Sequence, residues 1–174
     1  MKKVFCLSAA LFIAVILVMA DPLITGNGRD IKKKKETRWE PSRATRFDFL
    51  QDFPNAKFVT WSYGQFVEAS FIDNDVLKTA YYDEDNNLVG TTTDVDASAL
   101  PEKARDHISK MYPGYTIEKV VFFDDNEAND TDMFLFNQSF EDEDNYFPLL
   151  VKGSKQIILE VSPEGKVSFF QNVK

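Results

Sequence analysis

An α+β fold built from two tandem helix-plus-antiparallel-strand repeats is the class this sequence predicts. Three observations lead there. From 53 to 94, in FPNAKFVTWSYGQFVEASFIDNDVLKTAYYDEDNNLVGTTTD, apolar and polar residues alternate with the period of a half-buried strand. Two other segments, 42–53 and 100–112, space apolar residues at helical intervals and end against a proline. The order then recurs. A helix ending Phe53-Pro54 precedes strands finishing YYDEDNNLVG, and a helix ending Tyr112-Pro113 precedes strands finishing LEVSPEGKVSFF. Such units side by side imply one twisted antiparallel sheet with helices on one face.

The chain begins with an address. Lys2 and Lys3 precede an apolar run from Val4 to Met19 that closes in Val18-Met19-Ala20. This is a charged n-region, an apolar h-region and small cleavage-site residues, so residues 1–20 read as a secretory signal peptide cut near Ala20. A retained anchor is the competing reading, but the run is at the lower length limit for spanning a bilayer. The only cysteine, Cys6, lies at the start of that run, where it cannot serve as a lipoprotein attachment point. Beyond the signal the chain has no thiol for disulfides, nucleophilic catalysis or metal binding.

Residues 21–41 contain Gly26, Gly28 and the run Lys32 to Lys35, and read as a flexible basic leader. A domain spans 42–174, with repeat one at 42–96 and repeat two at 97–174. Ser42 is the expected N-cap of the first helix, whose apolar face is Phe47, Leu50 and Phe53. The next strands are separated by Tyr63-Gly64-Gln65, Asp73-Asn74-Asp75 and the run Asp83 to Asn87, all residues suited to hairpin turns. Their inward face is Val67, Ala69, Phe71, Ala80 and Tyr82; Leu77, Thr79 and Tyr81 share the opposite one. The second helix, 100–112, is capped by Ser98 and lined by Leu100, Ala104, Ile108 and Met111. Strand composition marks 115–123, 133–140, 146–151, 156–161 and 166–172, with Ser162-Pro163-Glu164-Gly165 as a hairpin turn.

Charge is distributed unevenly. Residues 21–46 carry +4 and residues 47–174 carry −14. An acidic folded part repels nucleic acid and anionic membrane surfaces, so neither is an expected partner. His107 is the single histidine and sits on the second helix beside Ile108, a poor start for a catalytic triad. Zinc would have to rely on carboxylates almost alone. A calcium loop at 83–94 lacks the glycine required at its sixth position, where Leu88 stands, and 124–130 places Ala128 in a ligand position. No metal or cofactor is expected. Paired carboxylates could serve a glycoside-hydrolase-like reaction, but nothing in the sequence marks a pair.

The motifs FPNAKFVTW (53–61), VEASF (67–71), AYYDEDNNLV (80–89), ALPEKARDHI (99–108), YPGYTIEKV (112–120) and LEVSPEGKV (159–167) resemble the bacterial PepSY-like family, also described as β-lactamase-inhibitor-like. The resemblance covers 47–174, with Asn86-Asn87 standing where many relatives show Asp-Gly. It implies a small exported, non-catalytic protein of the periplasm or exterior that binds a cell-envelope protein or peptide, inhibiting or sequestering it. A carboxylate-dependent envelope hydrolase is the alternative. The expected binding residues are the aromatics Trp61, Tyr63, Phe66 and Tyr81 on an exposed sheet face, with Asp124, Asp125, Glu141 and Asp142 in the acidic loops 124–132 and 141–145. These acids favour a basic partner.

Overall fold

The computed structural model describes residues 39–173. The signal peptide and the leader as far as residue 38 lie outside the described residues. The first helix, α1 (Arg43–Asp52), starts where Ser42 accepts the amide N–H of Thr45 on its hydroxyl, a side-chain N-cap. Four strands come next: β1 (Lys57–Tyr63), β2 (Val67–Asp73), β3 (Val76–Tyr82) and β4 (Leu88–Val95). After α2 (Glu102–Met111) come β5 (Thr116–Asp125), β6 (Met133–Leu135), β7 (Gln138–Phe140), β8 (Asn145–Lys152), β9 (Lys155–Val161) and β10 (Val167–Val173). One sheet of eight strands runs β1-β2-β3-β4-β5-β8-β9-β10, and each neighbouring pair is antiparallel. β6 and β7 leave this meander and pair only with each other.

This is a mainly-β fold, and the α+β class with tandem helix–strand repeats is overturned. Two helices of ten residues are each about 15 Å long, whereas eight strands span about 34 Å across. They rest on the sheet as separate braces and form no layer. The second half also carries the β6–β7 ribbon, which has no counterpart in the first.

Both helices lie on the same side of the sheet. Under α1, Phe49 packs edge-on against Phe71 and Trp61, with ring centroids 5.0 and 5.1 Å away. Ala69, Ala80 and Tyr82 complete that cluster. Under α2, Leu100, Ala104 and Ile108 cover Val120, Leu150, Leu159 and Val161. The register Ala80↔Thr91↔Asp124 carries one side of β3 across β4 to β5, where Phe122 and Val120 alternate onto the same face.

Two expected helix faces change. Phe47 and Leu50 are 63% and 61% exposed, while Thr45 and Phe49 are buried. The rotation of α1 is set by a polar anchor: the Thr45 hydroxyl donates to Asn86 Oδ1 at 2.6 Å, and the Ser42 hydroxyl reaches the same atom at 3.1 Å. A buried hydroxyl must keep such a partner, so the turn holds Thr45 inward and the apolar Phe47 and Leu50 turn to solvent. Met111 also points outward. Ser98 caps no helix; its N–H is taken by Asp96 at the start of a short 3-10 turn, and α2 begins after Pro101 without a side-chain cap.

The expected single strand at 133–140 is a tight hairpin. Phe136 and Asn137 both have positive φ, 51° and 64°. Two successive left-handed residues define the primed turn that suits a two-residue loop, for which Asn-Gly or Asp-Gly is the usual signature. Phenylalanine in the first position hides that signal. The ribbon turns Met133, Leu135 and Phe140 onto Phe66, Tyr81, Phe123, Phe147, Ile158 and Phe170, a third core cluster on the side away from the helices.

Candidate functional site

The side opposite the helices is half covered. Over β1–β3 it is bare: Thr60, Ser62, Glu68, Ser70, Leu77 and Thr79 alternate outward. Short cross-strand bonds order this surface. The Ser62 hydroxyl donates to Glu68 at 2.9 Å, and the hydroxyls of Ser70 and Thr79 lie 3.0 Å apart. Where the bare half meets the ribbon, two adjoining hollows of about 240 and 400 Å³ share Tyr81, Leu135 and Phe136. Thr79, Thr92 and Lys119 line one; Phe66, Glu68 and Asn137 line the other. The result is a trough with an apolar wall, a hydroxyl-bearing floor and charges at its rim. Lys119 pairs with Asp94 at 2.9 Å there, both largely exposed.

Of the four expected aromatics, Tyr63 is 61% exposed and stacks on Trp39, with centroids 5.4 Å apart. Trp61 is half-buried on the helix side against Phe49. Phe66 and Tyr81 are buried beneath the ribbon, and Tyr81 Oη lies 3.0 Å from Thr92 Oγ1. Burial raises the Tyr81 phenol above its ordinary range. The structure therefore does not gather these four on an exposed face; it uses Phe66 and Tyr81 to build the trough's wall. Leu77, Thr79 and Thr92 complete the trough, and the alternation that puts Leu77 and Thr79 beside Tyr81 made the first two visible in the sequence. Phe136 carried no sequence signal, because its position depends on the hidden turn.

The four acids behave differently from one another. Asp124 is exposed on the helix side, and its carboxyl is raised by partial burial and by Asp144, with Lys78 opposing. Glu141 is exposed. Asp125 and Asp142 converge. One oxygen of each, Oδ1, is buried without a hydrogen-bond partner. Burial, then contact with Asp142, pushes Asp125 up to about 7. Neither residue lines the trough.

In the 83–94 turn the acids serve the backbone. Asp83 accepts the N–H groups of Asp85 and Asn87 on Oδ1 and the Asn129 amide on Oδ2, so it closes its own turn. Among the described residues no three carboxylate, histidine or cysteine side chains converge to hold a metal ion. A polar hollow of about 480 Å³ lies between α1 and this turn, lined by Asp48, Asp52, Asn86, Asn126 and Asp130.

No family model matches this sequence, and no curated protein matches it either. Solved structures share its fold. A DUF2874 family protein from Bacteroides uniformis aligns with TM-score 0.63 at 16% identity, covering 78% of this chain and 91% of its own. A protein from Bacteroides eggerthii described among "putative periplasmic proteins" aligns with TM-score 0.64 at 14% identity, covering 78% and 91%. A BLIP-like protein from Bacteroides fragilis aligns with TM-score 0.59 at 19% identity, covering 78% and 88%. None of the three is described as PepSY, and at these identities the likeness is one of fold: this chain has the fold shared by a DUF2874 family protein and a BLIP-like protein.

Proposed function

We propose that this chain is an exported, non-catalytic binding module that takes a cell-envelope protein or peptide in the trough between the bare half of the sheet and the ribbon. The observation that carries this reading is the trough itself. Leu77 and Phe136 supply exposed apolar surface, backed by the buried Tyr81 and Leu135, beside ordered hydroxyls on a rigid sheet, the mixture that suits a protein surface or extended peptide. Export is supported by the charged, apolar and small-residue segments of 1–20, and by a shared fold with a protein described as periplasmic. The net charge of −14 on 47–174 favours a basic partner.

The rival hydrolase reading has its best carboxylate pair in Asp125 and Asp142, but one oxygen of each is buried and neither residue lines the trough.

The test starts with a partner captured from envelope extract and proceeds by surface plasmon resonance. Leu77→Asp should raise the dissociation rate by about tenfold or more. Phe47→Ser on the outer face of α1, with similar exposure in the native protein, should leave it unchanged. Neutralising Asp124 and Glu141, the two exposed acids of the expected four, should mainly slow association, an effect that fades at high salt. Binding weakened by Phe47→Ser and not by Leu77→Asp would move the site to the helix side and end this proposal.

A further inference from the structure

The ribbon is rooted by the 141–144 loop between β7 and β8. Two aspartates of that loop grip the end of β5. Asp144 Oδ1 accepts the backbone N–H of Asp125 at 2.8 Å. Asp142 meets the Asp125 side chain, and Oδ1 of each carboxyl is buried with no donor to satisfy it. A carboxylate is an acceptor only, so two ionised groups in this position have nothing to offer each other. One proton between them converts repulsion into a short charge-assisted hydrogen bond.

We propose that Asp125 and Asp142 share a single proton, which clasps the 141–144 loop to the end of β5, and that losing this proton loosens the ribbon over its core. The surroundings favour keeping it. Along the chain, Asp124 and Glu127 flank Asp125, and the loop adds Glu141, Glu143 and Asp144. From β4, the residue paired with Asp125 is the uncharged Gly90. Glu160 on β9 feels Glu143 and Glu141 and is itself raised, chiefly by burial. The nearby cations act elsewhere: Lys78 on Asp124 and Lys166 on Glu160. This device is independent of what the trough binds.

Burial and Asp142 push the folded Asp125 up to about 7, while an unfolded aspartate titrates at about 3.9. Between those values the folded state holds more protons, so stability falls as pH rises through the window and levels off above it. Most salt-bridged acids give the opposite slope.

The experiment tracks the Asp125 carboxyl carbon by NMR, with thermal midpoints and amide exchange of 133–140, corrected for intrinsic rates, across about pH 4 to 8. In the protein the Asp125 midpoint should lie near 7, the thermal midpoint should fall with pH, and ribbon exchange should accelerate by about tenfold. In Asp142→Asn the introduced amide donates without titrating. The Asp125 midpoint should then drop by about two units, and the ribbon should stay protected at the alkaline end. Glu141→Gln removes the same charge from the same loop and should retain the wild-type profile. An Asp125 midpoint near the ordinary aspartate value in the unmutated protein overturns the proposal, whether or not the variants fold. So does an Asp142→Asn profile identical to wild type. Ribbon protection restored at pH 8 by added calcium would show that a cation, and not a proton, closes the clasp.

Discussion

The two halves of the sheet carry a helix on the same side and differ on the other. Across β1–β3 the free side bears Ser62, Glu68, Ser70 and Thr79, hydroxyls and a carboxylate that hydrogen-bond to one another. Across β5, β8, β9 and β10 it bears Phe123, Phe147, Ile158 and Phe170, sealed by the ribbon. The helix-side clusters of the two halves are by contrast alike in kind, aromatic or aliphatic beneath one helix each. The composition of a sheet face therefore depends on its cover. Where the ribbon lies the chain can place phenylalanines, and where nothing lies it uses mostly hydroxyl and charged side chains, with Leu77 the exposed exception at the trough. The boundary between these two regimes is the trough, so the candidate site sits where the protein changes from core to surface.

The largest perturbation should come from the sealed half. Phe147 touches Phe136, Phe140 and Phe170, with centroids 6.0, 4.8 and 5.0 Å away. Phe147→Ala should cost roughly 3–5 kcal/mol in urea unfolding. If the α1 side still melts with it in one transition, the halves are one cooperative unit; two separate transitions would break the comparison into two folding units.

Next comes the seam. Gly90 lies on β4 opposite Asp125, and a Cβ placed there would meet the Phe123 ring at 2.6 Å and the Asp124 carbonyl oxygen at 2.7 Å. Gly90→Ala should destabilise by roughly 1–3 kcal/mol, because backbone cannot yield as a flexible side chain can. A neutral result would mean that β4 and β5 can part slightly without loss, and the seam would be softer than either half.

A smaller effect is expected under α1. The buried Tyr82 donates its phenol to Asp52 at 2.9 Å, and burial together with that acceptor raises the phenol further. Tyr82→Phe keeps the ring and loses about 1 kcal/mol by thermal or chemical unfolding. The smallest belongs to the trough rim, where Lys119→Ala removes the exposed pair with Asp94 and should change stability by less than about 1 kcal/mol. If Lys119→Ala proves as damaging as Tyr82→Phe, the bare face is held together more tightly than its exposure implies.

Much of this was legible along the chain. The Ser42 cap, the turns at Asp73-Asn74-Asp75 and Ser162-Pro163-Glu164-Gly165, and the inward set Ala69, Phe71, Ala80, Tyr82, Leu100, Ala104 and Ile108 all stand where residue type and spacing put them. These features are local: a cap is satisfied within one helical turn, a hairpin turn within four residues, and alternation within one strand. The fold class was misread because the recurrence of helix then strands says nothing about how much of a wide sheet a ten-residue helix can cover.

The amino-acid sequence alone determined which segments are strands, where most turns fall and which strand face is apolar, since each depends on neighbours a few residues away. Tertiary structure alone decided three things. Asn86, more than 40 positions from Ser42 and Thr45, set the rotation of α1. The ribbon turned Phe66 and Tyr81 from candidate contact residues into a wall, because its fold-over depends on a turn with phenylalanine in an unexpected place. Asp125 and Asp142, seventeen residues apart in a crowd of acids, became a facing pair only when the 141–144 loop closed on β5. In each case the deciding energy is a burial or a hydrogen bond between residues distant in sequence, and such a term has no trace in local pattern until the chain has brought the partners together.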